Sequence, residues 1–143
     1  MKNNLNIILG TVGVIVLVLI VIFAKSSTTK LIGVEFIEKY NSTSNATLLD
    51  VRTSDEFASG HIDKAINIDF ESSSFVSEIK KLDTTKTYFV YCRSGNRSGQ
   101  AISIMKANGI KNIYELDGGL VSNEGAVKLV TVDSGESELS DKE

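Results

Sequence analysis

The only cysteine of the chain occupies a position in which its sulfur could act as a nucleophile. Cys92 follows the run 87–91, which is β-branched and aromatic, and precedes a helical pattern that begins at Ser98. A helix amino terminus carries partial positive charge and free N–H groups, and Arg93 and Arg97 add two full charges. Each of these features favours a thiolate over a thiol. The segment therefore predicts a reactive cysteine.

The residues between Cys92 and the helix favour a curled loop. Gly95 and Asn96 tolerate positive φ, so the backbone amides of this segment can point inward and form an anion nest. Such a nest holds a nucleophilic sulfur, a persulfide or an incoming oxyanion. The alternative is a structural cysteine buried in the core at a strand end. The two arginines and the glycine turn argue against that alternative.

Short apolar runs alternate with helical patterns on both sides of this loop. The runs that predict strands are 47–51, 65–68, 87–91 and 112–116. The patterns that predict helices are 34–40, 75–82 and 98–107. This alternation predicts an α/β domain with a parallel central sheet flanked by helices. In such sheets, ligand sites lie where strands end and helices begin, which is the position of Cys92.

Four segments, in order along the chain, resemble the rhodanese-like family. Leu48-Leu-Asp-Val-Arg52 with Glu56-Phe57 is similar to its DVR segment, and Gly60-His-Ile62 is similar to its GHI segment. Tyr91-Cys-Arg-Ser-Gly-Asn-Arg-Ser98 is similar to its active-site loop, and Leu116-Asp-Gly-Gly-Leu120 to its late glycine pair. The sequence departs from the family pattern at Lys64, where a glycine is common, at Asp69, near a common proline, and over 121–125, where tryptophan is common.

The resemblance implies a single rhodanese-like domain, here placed at residues 31–130, with sulfurtransferase activity. Cys92 would accept a sulfane sulfur from a small anionic donor such as thiosulfate and pass it, as a persulfide, to cyanide or a thiol. Arg93 and Arg97 would steer the donor. The residues that it places around the persulfide are Arg93, Ser94, Gly95, Asn96, Arg97 and Ser98.

Several residues near the predicted site are expected to have structural roles; they are Asp50, Arg52, Glu56, Gly118 and Gly119. We expect Arg52 to form a salt bridge with Glu56 or Asp55, and Asp50 to hold loop amides. The glycine pair is expected to form a turn that brings backbone close to the site. His61 is expected to cap a helix end and bond to the backbone rather than act as a base.

Three other functions remain open. A phosphatase or arsenate reductase on the same fold uses a cysteine and an arginine six positions apart, whereas Cys92 and Arg97 are five apart. A non-enzymatic docking module is the second alternative, and the retained cysteine and arginines argue against it. The third is a persulfide carrier that receives sulfur from a protein partner. Because the chain has no second cysteine, turnover in any sulfur-transfer reaction needs an external acceptor.

The first residues of the chain predict a membrane segment. Residues 5–24 contain no charged residue and, as a helix, span about 30 Å, the thickness of the hydrocarbon core of a bilayer. No Ala-x-Ala-like cleavage site follows, so we expect an uncleaved, single-pass anchor in the cell membrane. Lysines lie on both sides of this segment, so their distribution does not determine its orientation. The short leading tail, residues 1–4, favours an extracytoplasmic domain. Residues 25–30 read as a linker, and residues 131–143 as an acidic, flexible tail.

Composition excludes several classes of function. The chain has 143 residues and a formal net charge of −3, which argues against nucleic acid as a partner. One cysteine and one histidine exclude an intrachain disulfide and a cysteine-rich or histidine-rich metal site. We therefore expect no metal and no cofactor.

Overall fold

The computed structural model describes residues 28–131. The elements in chain order are β1 (Thr29–Leu31), α1 (Gly33–Ser42), β2 (Ala46–Asp50), α2 (Ser54–Ser59), β3 (His61–Ile62), β4 (Ile66–Asn67), α3 (Phe75–Ile79), β5 (Thr87–Tyr91), α4 (Asn96–Ala107), β6 (Asn112–Leu116), α5 (Gly119–Ser122) and β7 (Leu129–Val130).

The central sheet is parallel, with strand order β1-β6-β5-β2-β4. β3 and β7 form a separate antiparallel pair beside it. The predicted α/β architecture, a parallel sheet flanked by helices, is confirmed. Because β5 lies in the middle of the sheet, its carboxyl end is surrounded by the ends of neighbouring strands and the loops that follow them.

Side chains alternate across β5 and build a core on each face of the sheet. Tyr88 and Val90 pack on one face with Ile79 of α3 and with a set of α4 residues, namely Ala101, Ile102 and Met105. Phe89 and Tyr91 pack on the other face with Phe36 of α1. Both faces of β5 are therefore dry, as a continuous apolar run predicts for a central parallel strand.

The boundaries of β5 and β6 match the prediction from the sequence. The third helix is shorter than predicted, since α3 ends at Ile79 and a turn bond from Leu82 N to Ile79 O follows it. The strand predicted at 65–68 is reduced to Ile66–Asn67. At the start of the domain, Thr29 and Lys30 belong to β1 rather than to the predicted linker, because their backbone pairs with β6.

Two predicted segments lie largely outside the described residues. The predicted transmembrane helix, residues 5–24, lies wholly outside them, and so does all of the predicted acidic tail except Thr131. Within residues 28–131, no helix has both the length and the apolar character needed to cross a bilayer. The membrane anchor therefore stays a prediction.

Candidate active site

Cys92 lies at the carboxyl end of β5, three residues before the left-handed Gly95 that precedes α4. We call residues 92–97 the cysteine loop. Cys92 itself is fully buried. Its sulfur is 3.1 Å from the backbone N–H of Gly95, which donates to it. Gly95 adopts φ 89°, a backbone conformation that is strained for any residue with a Cβ atom. The sulfur is therefore buried, but in a polar setting at a helix amino terminus.

Ser98 faces the same sulfur from the first turn of α4. The side chain is fully buried, and its Oγ lies 3.4 Å from Cys92 Sγ. The hydroxyl is also 3.1 Å from the carbonyl of Gly95 and 2.7 Å from Glu115 Oε1. Ser98 was predicted to contact the substrate, and that stays a prediction; its hydroxyl lies between the sulfur of Cys92 and the carboxyl group of Glu115.

The turn formed by Gly118 and Gly119 packs against the backbone of the cysteine loop. The amides of Leu120 and Val121 donate to the carbonyls of Cys92 and Arg93 at 3.1 Å and 3.0 Å. A Cβ on Gly119 would lie 2.6 Å from the backbone of Arg93, and Gly119 has φ 61°. The glycine pair therefore brings backbone against backbone, as predicted from the sequence.

Arg97 is held by carboxylates from two other segments. Its guanidinium forms a two-pronged pair with Glu56 of α2, at 2.6 Å and 2.9 Å, and a longer contact of 3.2 Å with Glu71. The hydrogen bonds from Arg97 lower the pKa of Glu56 to about 2. The same contacts with Glu56 raise the pKa of Arg97, and the charge of Cys92 adds to that rise. The charge of Arg97 is therefore largely balanced by these two carboxylates.

The predicted salt bridge of Arg52 is wrong. Arg52 pairs with Asp50, at 2.6 Å, and donates to the carbonyl of Gly60. Burial opposes the charge of Arg52, but Asp50 outweighs it and the pKa of Arg52 is raised. Asp50 also accepts the backbone N–H of Arg52 at 2.8 Å, so it does hold a loop amide, although this amide lies outside the cysteine loop. Glu56 is free for Arg97 because the strand end turns Arg52 back onto Asp50.

Arg93 is exposed, as are Ser94 and Asn96. Among residues 28–131, no carboxylate lies within ion-pair distance of Arg93. It borders a cleft of about 450 Å³ beside the cysteine loop. Other residues lining the cleft include Glu56, Leu120, Val121, Val127 and Leu129. Cys92 does not line this cleft, so the cleft is a candidate entry surface rather than the reaction centre.

His61 has the structural role that was predicted for it. Its Nδ1 lies 2.9 Å from the carbonyl of Phe57, near the end of α2, and its ring stacks on the Phe57 ring at 3.8 Å. Since a carbonyl can only accept, Nδ1 carries the proton of this contact. The imidazole therefore contributes to local packing against α2.

The sequence analysis missed Glu115, which is 3% exposed and lies on β6. The register of the sheet pairs it with Val90, two residues before Cys92. A glutamate inside a predicted strand of a helix-flanked parallel sheet is the signal that could have revealed it, since carboxylates are rarely buried without a partner. Within residues 28–131, no group of three or more His, Cys, Asp or Glu side chains is placed to hold a metal ion.

Comparison with known sequences matches most of the described domain to one family. A sequence model of the rhodanese-like domain matches residues 34–125. YqhL, an uncharacterised protein of Bacillus subtilis, is 30% identical over 128 residues, which cover 90% of this chain and 98% of that protein. The thiosulfate sulfurtransferase GlpE of Pseudomonas savastanoi is 35% identical over 74 residues, 52% of this chain and 68% of that protein. A tRNA uridine(34) hydroxylase of Buchnera aphidicola is 36% identical over 93 residues, 59% of this chain and only 28% of the hydroxylase.

Solved structures share the fold. A rhodanese-related protein from Thermoplasma volcanium has a TM-score of 0.61 and 31% identity, and the match covers 71% of this chain and 97% of that one. A rhodanese-like domain protein from Staphylococcus aureus has a TM-score of 0.60 and 24% identity, with 73% of this chain and all of that one covered. The second likeness bears on the fold alone.

Proposed function

Because the chain belongs to the rhodanese-like domain family, we propose that it is a sulfurtransferase. It moves a sulfane sulfur from a small anionic donor such as thiosulfate, through a persulfide on Cys92, to cyanide or a thiol. One observation carries the proposal: the sulfur of Cys92 accepts the Gly95 N–H at 3.1 Å at the amino terminus of α4. That amide and the positive end of the helix stabilise a thiolate, which is the nucleophilic form of the residue.

The first step transfers one neutral sulfur atom. The Cys92 thiolate attacks the outer sulfur of thiosulfate, a new S–S bond forms, and the old S–S bond breaks with its electron pair leaving on sulfite. Charge is conserved, since a thiolate and a dianion give a persulfide anion and a dianion. In the second step, cyanide attacks the outer sulfur of the persulfide, which gives thiocyanate and regenerates the thiolate.

Arg93 supports the choice of an anionic donor. It is the arginine of the cysteine loop whose side chain is exposed beside the cleft, while Arg97 is engaged by Glu56 and Glu71. A positive charge at the mouth of a site raises the local concentration of anions and the rate of encounter. We therefore propose Arg93 for the steering role that the sequence analysis gave to both arginines.

The test is loading of the full-length chain, purified in detergent and reduced. After incubation with thiosulfate, intact-mass spectrometry should show a gain of one sulfur atom, and cyanide should remove it with formation of thiocyanate. Cys92→Ser is the matched control and should gain no sulfur while keeping the thermal stability of the wild type. Normal turnover by this variant would exclude the mechanism.

A folded, reduced chain that gains no sulfur from thiosulfate would contradict the thiosulfate reaction. Loading from a persulfidated protein in the same assay would identify a persulfide carrier with a protein sulfur partner. Hydrolysis of a phosphatase dye instead would favour the oxyanion chemistry of the related phosphatases and arsenate reductases. No loading by any donor would favour a docking module.

We also propose that residues 5–24 anchor the chain in the cell membrane as a single span, with the domain on the extracytoplasmic side. The support for the span is that 16 of these 20 residues are apolar and none is charged, and the support for the orientation is the short leading tail, residues 1–4.

A further inference from the structure

A buried carboxyl group lies one hydroxyl away from the reactive sulfur. Glu115 is 3% exposed, and its Oε1 is 2.7 Å from Ser98 Oγ. Ser98 Oγ is in turn 3.4 Å from Cys92 Sγ. The three groups form a chain from sulfur to carboxyl inside the domain, with Cys92 and Ser98 fully buried. The sulfur transfer proposed above gives the carboxyl no role.

The hydroxyl of Ser98 can complete this chain in either of two directions. A hydroxyl has one hydrogen to donate and two lone pairs with which to accept. In the thiol form, the S–H of Cys92 donates to Ser98, and Ser98 donates to the Glu115 carboxylate. In the thiolate form, Ser98 donates to the sulfur, and the protonated carboxyl of Glu115 donates to Ser98. The same heavy-atom positions serve both forms.

We propose that Glu115 takes the thiol proton of Cys92 through Ser98, and so positions the site for sulfur transfer. The S–H bond breaks and leaves its electron pair on sulfur, the proton passes to Ser98 Oγ, and the Ser98 hydroxyl proton passes to Glu115 Oε1. The net charge of the three groups stays at one negative charge. This inference rests on the sulfurtransferase function proposed above and deepens it, because it names where the proton goes when the nucleophile forms.

Electrostatics explains why one proton is shared between the two acids. Ionising both would place two negative charges on one buried chain of hydrogen bonds, which is unfavourable in a low dielectric. Moving a proton between them keeps one charge and creates none.

The charged groups around the chain act on its two ends. Arg97 of α4 and Arg93 of the cysteine loop favour negative charge on the sulfur, and the raised pKa of Arg97 includes a contribution from Cys92. Lys30 of β1 lies 3.7 Å from Glu115 Oε2 and favours the carboxylate. Its influence is weak because its side chain is 60% exposed and is shared with Asp117, also at 3.7 Å.

The test is the pH dependence of Cys92 alkylation by iodoacetamide in the full-length chain, which requires no sulfur donor. If the two groups share one proton, the wild-type rate should rise with pH in two steps. Glu115→Gln keeps the hydrogen bond to Ser98 but cannot carry the shared charge, so its rate should rise in a single step. Because the amide does not compete with the sulfur for the negative charge, the variant should react faster than the wild type between the two wild-type steps.

A glutamate that stays ionised as a fixed negative charge predicts a single step in the wild type as well. One step in the wild type, or a wild-type profile that Glu115→Gln leaves unchanged, would overturn the proposal. Asp117→Asn is the matched control, because it removes the neighbouring carboxylate of Lys30 without touching Ser98, and it should keep the two-step profile. Failure of thiosulfate loading alone leaves this profile unaffected, so the two proposals fail separately.

Infrared difference spectroscopy of the wild type keeps the proposal testable if Glu115→Gln does not fold. A protonated carboxyl band should be present at neutral pH and should disappear when Cys92 is alkylated, because the thioether carries no charge and the carboxylate returns. Absence of the band, or a band that survives alkylation, would overturn the shared proton.

Discussion

Arg93 and Arg97 carry the same charge near the same sulfur but differ in what holds them. Arg97 is engaged by Glu56 and Glu71, whereas Arg93 is exposed at the cleft. Arg93→Gln should therefore slow persulfide formation at low thiosulfate on the order of tenfold, with less dependence on salt. Arg93→Lys, which keeps the charge, should restore most of the rate. The measurement is the rate of sulfur gain against thiosulfate concentration at two ionic strengths; equal rates for Arg93→Gln and wild type would contradict steering.

Glu56 makes the stability of the domain depend on pH. Its pKa in the fold, about 2, lies below the ordinary value of 4.5, so its ionised form stabilises the fold at neutral pH. That contribution is lost as pH falls from about 4.5 toward 2. Glu56→Gln should lower the free energy of unfolding at pH 7 by about 1–2 kcal/mol, since the pair is only partly buried.

The measurement for Glu56 is urea unfolding of the wild type and Glu56→Gln between about pH 2 and 7. The difference between the two curves should shrink as pH falls through that window. Glu78→Gln is the control, because Glu78 forms an exposed i,i+3 pair with Lys81 and should change stability little. A difference between wild type and Glu56→Gln that is constant with pH would contradict the role of ionisation.

Sequence patterns located the reactive residues better than their partners. The position of Cys92 at a strand end could be predicted because the sequence around it shows the patterns of a strand, a glycine turn and a helix. The partner of Arg52 could not, because helical spacing points to Glu56, whereas the chain bends at the end of β2 and returns Arg52 to Asp50. Pairing across a strand end depends on three-dimensional geometry that no local period records.

At the scale of elements, the turn before α5 sets the shape of the cysteine loop. Gly119→Ala should place a methyl group 2.6 Å from the Arg93 backbone at φ 61°, and so should displace the loop. We expect a loss of about 2–5 kcal/mol of stability, from backbone strain and overpacking together, and loss of sulfur loading.

Gly125→Ala separates the two causes. Gly125 has φ 80°, but a Cβ there meets no atom within 4 Å, so only the strain of about 1–2 kcal/mol applies. This variant should keep its loading activity. The measurements are thermal unfolding and sulfur gain by mass spectrometry for both variants; equal effects of the two substitutions would mean that close packing at Gly119 is unimportant.

Element prediction succeeded where the hydrophobic pattern was long and failed where elements were short. β5 and β6 are five-residue strands whose bounds were predicted from the sequence. α2 has six residues and none of them is buried, so it has no apolar face to detect. Its local signal is the capping box of Thr53 and Glu56, with bonds of 3.3 Å and 3.1 Å. β3 and β7 have two residues each and form through pairing between distant segments.

At the scale of the whole molecule, β1 enters the sheet beside the middle of β6. Thr29 is in register with Tyr114, the third residue of β6, and Phe89 of β5 is in register with the same residue. Cys92 follows the last residue of β5, so the first residue of β1 lies three residues before the level of the cysteine, roughly 10 Å along the strands. The direction of the strands therefore does not fix how the cysteine loop faces a bilayer that residues 5–24 would span, and the compartment that holds the domain is a matter for experiment.

Exposure of this domain to that compartment can be tested with a reporter cysteine. Thr84 is exposed and lies in the turn between α3 and β5. Thr84→Cys in a Cys92→Ser background gives one accessible thiol, and a membrane-impermeant maleimide should label it in intact cells, because the domain is predicted to be extracytoplasmic. Deletion of residues 5–24 should move the chain from the membrane fraction to the supernatant. Labelling that requires lysis would place the domain on the cytoplasmic side, and an unchanged membrane fraction after the deletion would contradict the anchor itself.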